Sequence, residues 1–166
     1  MDFKPGLYED LDYETYASIP AWRSHDLTTI ARCPFTWKNQ RRTNESPALL
    51  EGRVQHTVFL EHHKFFDEFA IEPDVDRRTK DGKVEFVVCF HFAGQPCKGR
   101  FDWYTGTDVW DLKTCRDASP RGFRAAINSF KYYQQAAFYM AAAHFVGLPA
   151  EKFYFLAQEK AHPYPY

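Results

Sequence analysis

The sequence predicts an α/β domain in which a mixed, mostly antiparallel β-sheet is flanked by helices. Three observations lead there. Two strand-like apolar runs, Val84 to Phe92 and Lys98 to Tyr104, are joined by the turn-prone Ala93-Gly94-Gln95-Pro96, the pattern of a β-hairpin. A third run, Val109 to Thr114, follows the Gly106-Thr107 turn, so three successive strands make an antiparallel meander. Helical spacing of apolar residues then gives way to a last strand-like run, Lys152 to Gln158. That strand can rejoin the sheet only through a helical crossover, which makes the sheet mixed.

The other elements follow in order. Residues 1–23, rich in Tyr, Asp, Glu and Pro, read as an extended arm with turns ending at Ile19-Pro20-Ala21-Trp22. Ser24 is placed as a helix N-cap, and Leu27, Ile30, Ala31 and Phe35 or Trp37 fall on one face of a short helix whose end Pro34 disturbs. Arg41 to Pro47 reads as a polar loop. Ser46 and Pro47, at N-cap and first helical position, begin the clearest helix. Leu49, Leu50, Val54, Val58 and Phe59 are its apolar stripe, and Gly52 and His56 share one face. Phe65 to Phe69 finishes that helical region, Ala70 to Pro73 is extended, and the charged stretch Asp74 to Lys83 contains an Asp81-Gly82 turn. After the meander, Ser119-Pro120 caps a helix carrying Phe123, Ala126, Ile127 and Phe130, and a longer helix from about Lys131 through Phe145 closes at Gly147. There is no internal repeat, and no Gly-rich phosphate loop that would mark a doubly wound nucleotide fold.

At 166 residues the chain fits one domain with a sizeable core. Its 45% hydrophobic and 18% aromatic content, with sixteen Phe and ten Tyr, excludes a disordered polypeptide. A net charge of -1 and a pI near 6.6 neither invite nor exclude a polyanion. The short basic clusters, Arg41-Arg42 near Lys38, Arg77-Arg78 with Lys80, and Arg121 with Arg124, read as solvated surface. No apolar run approaches the roughly 20 residues that span a bilayer, and Met1 to Pro5 lacks the apolar stretch of a signal peptide. The expectation is an intracellular protein without membrane association. Cys33, Cys89, Cys97 and Cys115 form no Cys-x-x-Cys pair, so they read as free, packed thiols of a reducing compartment, without a zinc site.

The chemistry-bearing stretch is Gly99-Arg100-Phe101-Asp102 followed by Asp111-Leu112-Lys113. Alternation along a strand points Asp111 and Lys113 the same way. Two carboxylates and an ammonium on adjacent strands suit magnesium-dependent phosphodiester hydrolysis. Magnesium takes oxygen ligands and keeps several waters, so Asp102 and Asp111 can share one or two ions. The metal would polarise a phosphate and acidify a water. Lys113 would position or deprotonate that water, or offset charge building on the phosphate. The plain alternative is an exposed strand that alternates charge for solubility. Glu85, interrupting an apolar run, is either a further acidic ligand or a solvent-facing residue, and His56 either a ligand from the facing helix or a packed histidine. Gln135 and Tyr139 lie one helical turn apart; they offer hydrogen bonds to a phosphate, a base or the lysine, or else belong to a core-packing helix.

Together these pieces resemble the PD-(D/E)xK nuclease superfamily, and more narrowly the RecE-type exonucleases of phages and prophages, relatives of lambda exonuclease and of the RecB nuclease domain. The resemblance runs through Tyr16 to Trp37 with Ser24-His25-Asp26-Leu27 and Cys33-Pro34, then Leu49 to His56 and Leu60-Glu61. It continues through Arg77 to Lys83, Lys98 to Trp103, Asp111 to Thr114, Ala118-Ser119-Pro120, and Gln135 to Tyr139. It implies a restriction-endonuclease-like core occupying residues 46–166, behind an N-terminal arm and helix over residues 1–45. It implies Asp102 and Asp111 as metal ligands joined by His56 and Glu85, Lys113 as the catalytic lysine, and Gln135 and Tyr139 as the Gln-x-x-x-Tyr pair. Arg53, Arg100 and Thr114 are implied as DNA contacts. The cofactor implied is Mg2+, with Mn2+ able to substitute. The implied activity is end-directed digestion of double-stranded DNA, making single strands for recombination with a single-strand annealing protein, in a bacterial cytoplasm and of phage or prophage origin. A ring-shaped homo-oligomer is the assembly typical of the group.

Two departures stand out. The segment around Lys83 and Val84 is shorter than in many relatives, and relatives usually continue beyond the stretch that follows Ala157 to Lys160, so the core is expected to be short at its C-terminal end. A structure-specific or restriction-type endonuclease on the same core, and a non-catalytic DNA-binding remnant, are the competing functions. An iron–sulfur nuclease would need a cysteine cluster after the core, and no cysteine follows Cys115.

Overall fold

A computed structural model describes residues 3–39 and 82–160 of the chain. Its elements, in chain order, are β1 (Gly6–Tyr8), α1 (Tyr13–Ser18), α2 (Ser24–Arg32), α3 (Pro34–Asn39), β2 (Lys83–Phe92), β3 (Gln95–Tyr104), β4 (Asp108–Cys115), α4 (Pro120–Phe130), α5 (Tyr132–Phe145) and β5 (Lys152–Glu159). The strands form one sheet in the order β1-β2-β3-β4-β5. The first four are antiparallel, and β5 runs parallel to β4 after the α4–α5 crossover. The α/β class and the mixed sheet therefore stand as the sequence predicts. The helix expected from Ser46-Pro47, with Arg53 and His56 on it, and the segments from Phe65 to Asp81 lie outside the described residues.

The β2–β3 hairpin is tighter than the expected four-residue connection. Only Ala93 and Gly94 form the loop, with φ of 49° and 75°. Positive φ at both central positions matches the right-handed strand twist, and a glycine takes it without steric cost. Gln95 and Pro96 consequently belong to β3.

The run Phe86 to Phe90 shows no alternation because the sheet is covered on both faces, and each of its five residues is almost fully buried. On one face Phe86, Val88, Phe90, Cys97, Phe101 and Val109 pack against Phe138, Tyr139, Ala142 and Ala143. Those α5 positions form a single helical stripe, and the two alanines let the helix sit close to the strands. On the other face Val87 and Cys89 pack against Tyr16 and Ile19, with Phe3, Tyr8, Leu11 and Ala21 around them.

That second layer corrects the expected extended arm. Residues 6–8 pair with β2 as an edge strand, and Asp12 caps α1 by accepting from the Thr15 backbone N–H at 2.8 Å. The anchor is Lys98, a fully buried lysine of β3. Its Nζ donates to the carbonyls of Tyr16 (2.5 Å), Ala17 (3.2 Å) and Ile19 (2.7 Å) at the end of α1. The chain then runs beside β3: Trp22 N–H donates to Pro96 O at 2.8 Å and Lys98 N–H to Trp22 O at 2.7 Å.

Ser24 proves to be the first residue of α2, with Arg23 at the cap. The Asp26 carboxylate reaches back to the Arg23 N–H at 2.8 Å, so the acid three residues on supplies the cap that Ser24 was expected to give. Pro34 ends this helix and opens α3, where its missing N–H costs nothing. Ser119 and Pro120 start α4 as expected, with Ser119 Oγ accepting from Gly122 N–H at 3.1 Å.

Replacing Lys98 by Met strips a charged donor from three buried carbonyls. The loss expected in urea unfolding is about 2–3 kcal/mol, and an unaltered midpoint would deny Lys98 its anchoring role. Tyr16 offers a second check. Burial pushes its phenol up to about 12, against the opposing pull of the Arg23 and Arg100 guanidiniums. An unfolded tyrosine titrates near 10, so the folded chain holds this proton more tightly. The resulting stability is complete below about pH 10 and is lost as pH rises toward 12. Urea midpoints should fall more steeply above pH 10 in the wild type than in Tyr16→Phe, and parallel declines would contradict the assignment.

Candidate active site

The strands β3 and β4 pair only at Trp103 with Trp110 and Tyr104 with Val109. Beyond that point their ladder stops, although β4 stays paired to β5 along its whole length. Asp102 sits where the strands part. Its Oδ2 accepts the Leu112 backbone N–H at 2.6 Å, so a side chain takes over the ladder bond that the diverging backbone gives up. On its other side, the pairing of β2 with β3 is recorded for Val84 with Trp103 and for Phe86 with Phe101, and skips Glu85 and Asp102. Glu85 adopts the left-handed region at φ 49°, an uncommon conformation for a non-glycine residue. Alternation changes sense there: Val84 is exposed while Phe86 is buried, and Phe101 and Tyr104, three apart, reach the same core.

Asp111 is the centre of the site and is 1% exposed. Its Oδ1 accepts from Gln135 Nε2 at 2.7 Å. Its Oδ2 is ion-paired to Lys113 Nζ and has no well-directed hydrogen bond. Lys113 also lies over the Tyr132 ring, 5.0 Å from its centroid. Tyr132, Gln135 and Tyr139, spaced three and four apart, share one face of α5. The Tyr139 ring stacks on Phe101 at 4.8 Å and 9°. Burial holds the Tyr139 phenol well above its usual range, and the Tyr16 phenol and the carboxylates of Asp111 and Asp102 push the same way, against the Gln135 hydrogen bond. Burial also raises Tyr132, opposed by the Lys113 ammonium. Both phenols therefore stay protonated at neutral pH and remain hydrogen-bond donors.

Gly99 explains its own place in Gly-Arg-Phe-Asp. A Cβ there would lie 3.1 Å from Tyr139 Cε1, tighter than nine in ten real Cβ contacts, so the bare backbone makes room for the ring. Thr28 on α2 donates to Gln134 Oε1 at 2.8 Å, tying the first helical layer to the helix that carries Gln135.

The structure thus brings Asp111, Lys113, Gln135 and Tyr139 together, with Asp102 bonded to the residue between Asp111 and Lys113. Arg100 and Glu85 are also paired: Arg100 Nε donates to Glu85 Oε2 at 2.5 Å. Thr114 follows Lys113 on β4 and so points to the opposite face of the sheet. Tyr132 is the residue that sequence reasoning passed over. Its signal was available in the helical spacing to Gln135 and Tyr139.

Asp102 and Asp111 fit a magnesium ion in chemistry. They are hard oxygen donors, one of them buried with an oxygen that lacks a directed hydrogen bond. Magnesium commonly takes only one or two carboxylates, filling its octahedron with water and substrate phosphate. Among the described residues no group of three His, Cys, Asp or Glu gathers to hold a metal, and His56 lies outside them.

A carboxylate–carboxylate–lysine cluster at the parting of two strands, backed by a helix on a mixed sheet, defines a PD-(D/E)xK-like core. Residues 72–165, more than half of the chain, match the family described as a PDDEXK-like domain of unknown function (DUF3799), and the chain belongs to that family. No curated protein matches it. No helix among the described residues is long and apolar enough to cross a membrane.

Gly99→Val should force the Tyr139 ring off Phe101 and lower stability by about 1–3 kcal/mol. A thermal melt indistinguishable from wild type would show that the ring does not depend on the missing side chain.

Proposed function

We propose that the protein is a divalent-metal-dependent nuclease that hydrolyses phosphodiester bonds of DNA. The observation that carries this reading is the buried Asp111 carboxylate, gripped by Gln135 and Lys113 beside Asp102, in a chain of the PDDEXK-like family. In this reading Asp102 and Asp111 hold Mg2+, or Mn2+ in its stead, and the family likeness adds His56 and Glu85 as further ligands. When bound, the metal supplies Lewis-acid polarisation of the scissile phosphate and an acidified water.

The chain's own groups do the rest. Gln135 fixes the rotamer of Asp111, so the carboxylate is preorganised. Lys113 neutralises Asp111 in the resting site. With substrate present its ammonium is free to turn toward the phosphate and offset the charge that develops there. Tyr132 lies under the Lys113 Nζ and limits where it can move. The RecE-type likeness supports digestion of duplex DNA from an end, with Arg53 and Arg100 as DNA contacts and a single-strand annealing protein as partner. A ring of subunits is the corresponding assembly.

The test is a cleavage assay on end-labelled linear and closed circular duplex DNA with added Mg2+. Linear DNA should be degraded and closed circles spared. Chelation by EDTA should stop the reaction, and Asp111→Ala and Lys113→Ala should each lose at least about a hundredfold in rate. Intact substrates with wild-type protein would refute the nuclease reading, and cutting of closed circles would replace an exonuclease by an endonuclease.

A further inference from the structure

Helix α4 and its corner with α5 carry a second pattern that the cluster around Asp111 does not use. From Ala118 to Ala150 the sequence holds no Asp or Glu, while Arg121, Arg124 and Lys131 fall within the same stretch. Arg121, Arg124 and Asn128 lie on one ridge of α4 and are exposed. Among the described residues neither guanidinium has an ion-pair partner. The Asp117 and Glu159 carboxylates lie at the N-terminal end of α4, and the ridge beyond them carries cations alone, which suits a polyanion.

The ridge leads to Phe130, the last residue of α4, which is 67% exposed. Lys131 after it takes the left-handed conformation, φ 55° and ψ 41°, and turns the chain sharply into α5. Phe130 consequently stands at a corner and stacks on Tyr132 with ring centroids 5.6 Å apart and planes 23° from parallel. Tyr132 is the ring under Lys113, and it is packed from behind by Phe123 at 6.2 Å and Phe155 at 5.8 Å. One exposed ring is therefore joined through one supported ring to the lysine beside Asp111.

We propose that Phe130 is a stacking platform for an unpaired base of the nucleic-acid strand held at the Asp111–Lys113 site, with Arg121 and Arg124 contacting the phosphates of that strand. The occupant follows from charge and shape: an anionic backbone along the ridge, and a flat π-face on the ring at its end. Stacking of a base on an aromatic side chain tolerates any sequence. A paired base has both faces occupied by its neighbours, so the strand at this corner is locally single-stranded. Phe130 is thus a specificity-determining residue that favours single-stranded or frayed DNA over intact duplex. The inference rests on the nuclease reading for the identity of the strand, but its test reads binding alone.

The experiment uses the full chain in EDTA and a short single-stranded oligonucleotide bearing one 5-iodouracil. Affinity is measured by fluorescence anisotropy, and photocrosslinks are mapped by mass spectrometry. Phe130→Ala should weaken binding about tenfold and abolish a crosslink to the peptide containing residue 130, while Phe130→Trp restores both. Arg121→Ala and Arg124→Ala should each weaken binding and flatten its salt dependence by close to one counterion, leaving the crosslink position unaltered. On the far sheet face Trp110 stacks on Tyr154 with ring centroids 4.4 Å apart and lies 5.3 Å from Trp103; wild-type affinity in Phe130→Ala, or crosslinks confined to those three rings, would overturn the proposal. Binding with the Phe130 crosslink but no cleavage under any metal would sink the nuclease reading and spare this one. Cleavage without the crosslink would do the reverse.

Discussion

The parting of β3 from β4 is the constraint on which the site depends. Two strands that stayed paired through Asp102 and Asp111 would set the carboxylates into an ordinary cross-strand neighbourhood, with like charges repelling side by side. Here the backbone ladder ends one residue earlier, and Asp102 spends one oxygen on the Leu112 N–H. That hydrogen bond satisfies a buried amide, fixes the Asp102 rotamer and holds the two strands at a set separation. The left-handed backbone of Glu85 on the neighbouring strand belongs to the same distortion, since both residues drop out of the β2–β3 pairing together.

A buried carboxylate is expensive unless its charge is balanced and its lone pairs are used. Asp111 meets that cost with one directed hydrogen bond from Gln135 and one cation from Lys113, leaving one oxygen imperfectly satisfied. Removing Lys113 would leave the charge without its neighbour. The arrangement is stable enough to persist and incomplete enough to accept something else, which is the condition for a functional polar cluster inside a core. Lys98 is a contrasting case within one domain. It too is buried, but its ammonium is fully engaged by three carbonyls and it serves the packing of α1.

Most of the sheet was legible because its signals were local. Apolar runs, the Gly94 turn and the Ser119-Pro120 cap name their elements without knowledge of the rest. The crossover to a parallel β5 followed from the order of elements alone. The arm was misread because α1 is short and its partners lie far along the chain: nothing in Tyr13 to Ser18 announces that Lys98 will cap it. Ser24 misled because a good cap residue stood next to a better arrangement, in which Asp26 reaches back. For the site, Asp111 and Lys113 could be placed on one face from spacing, and Gln135 with Tyr139 from the helical period. The pairing of Glu85 with Arg100 could not, since it depends on a backbone conformation that no residue type there favours.

The segment at Trp22 has a consequence for how the chain reaches this structure. Lys98 bonds Tyr16 across 82 residues of sequence, and Trp22 borders β3 from the same distant part of the chain. The β2–β3 hairpin can form early, being local, but one edge of β3 and one face of the sheet stay bare until the N-terminal residues return. Loop closure over such separations slows folding. An unpaired strand edge is meanwhile open to pairing with another chain. The physical unit is accordingly larger than the span matched by the family: cutting the chain before residue 72 would leave strands with an open flank and a buried lysine without its carbonyls.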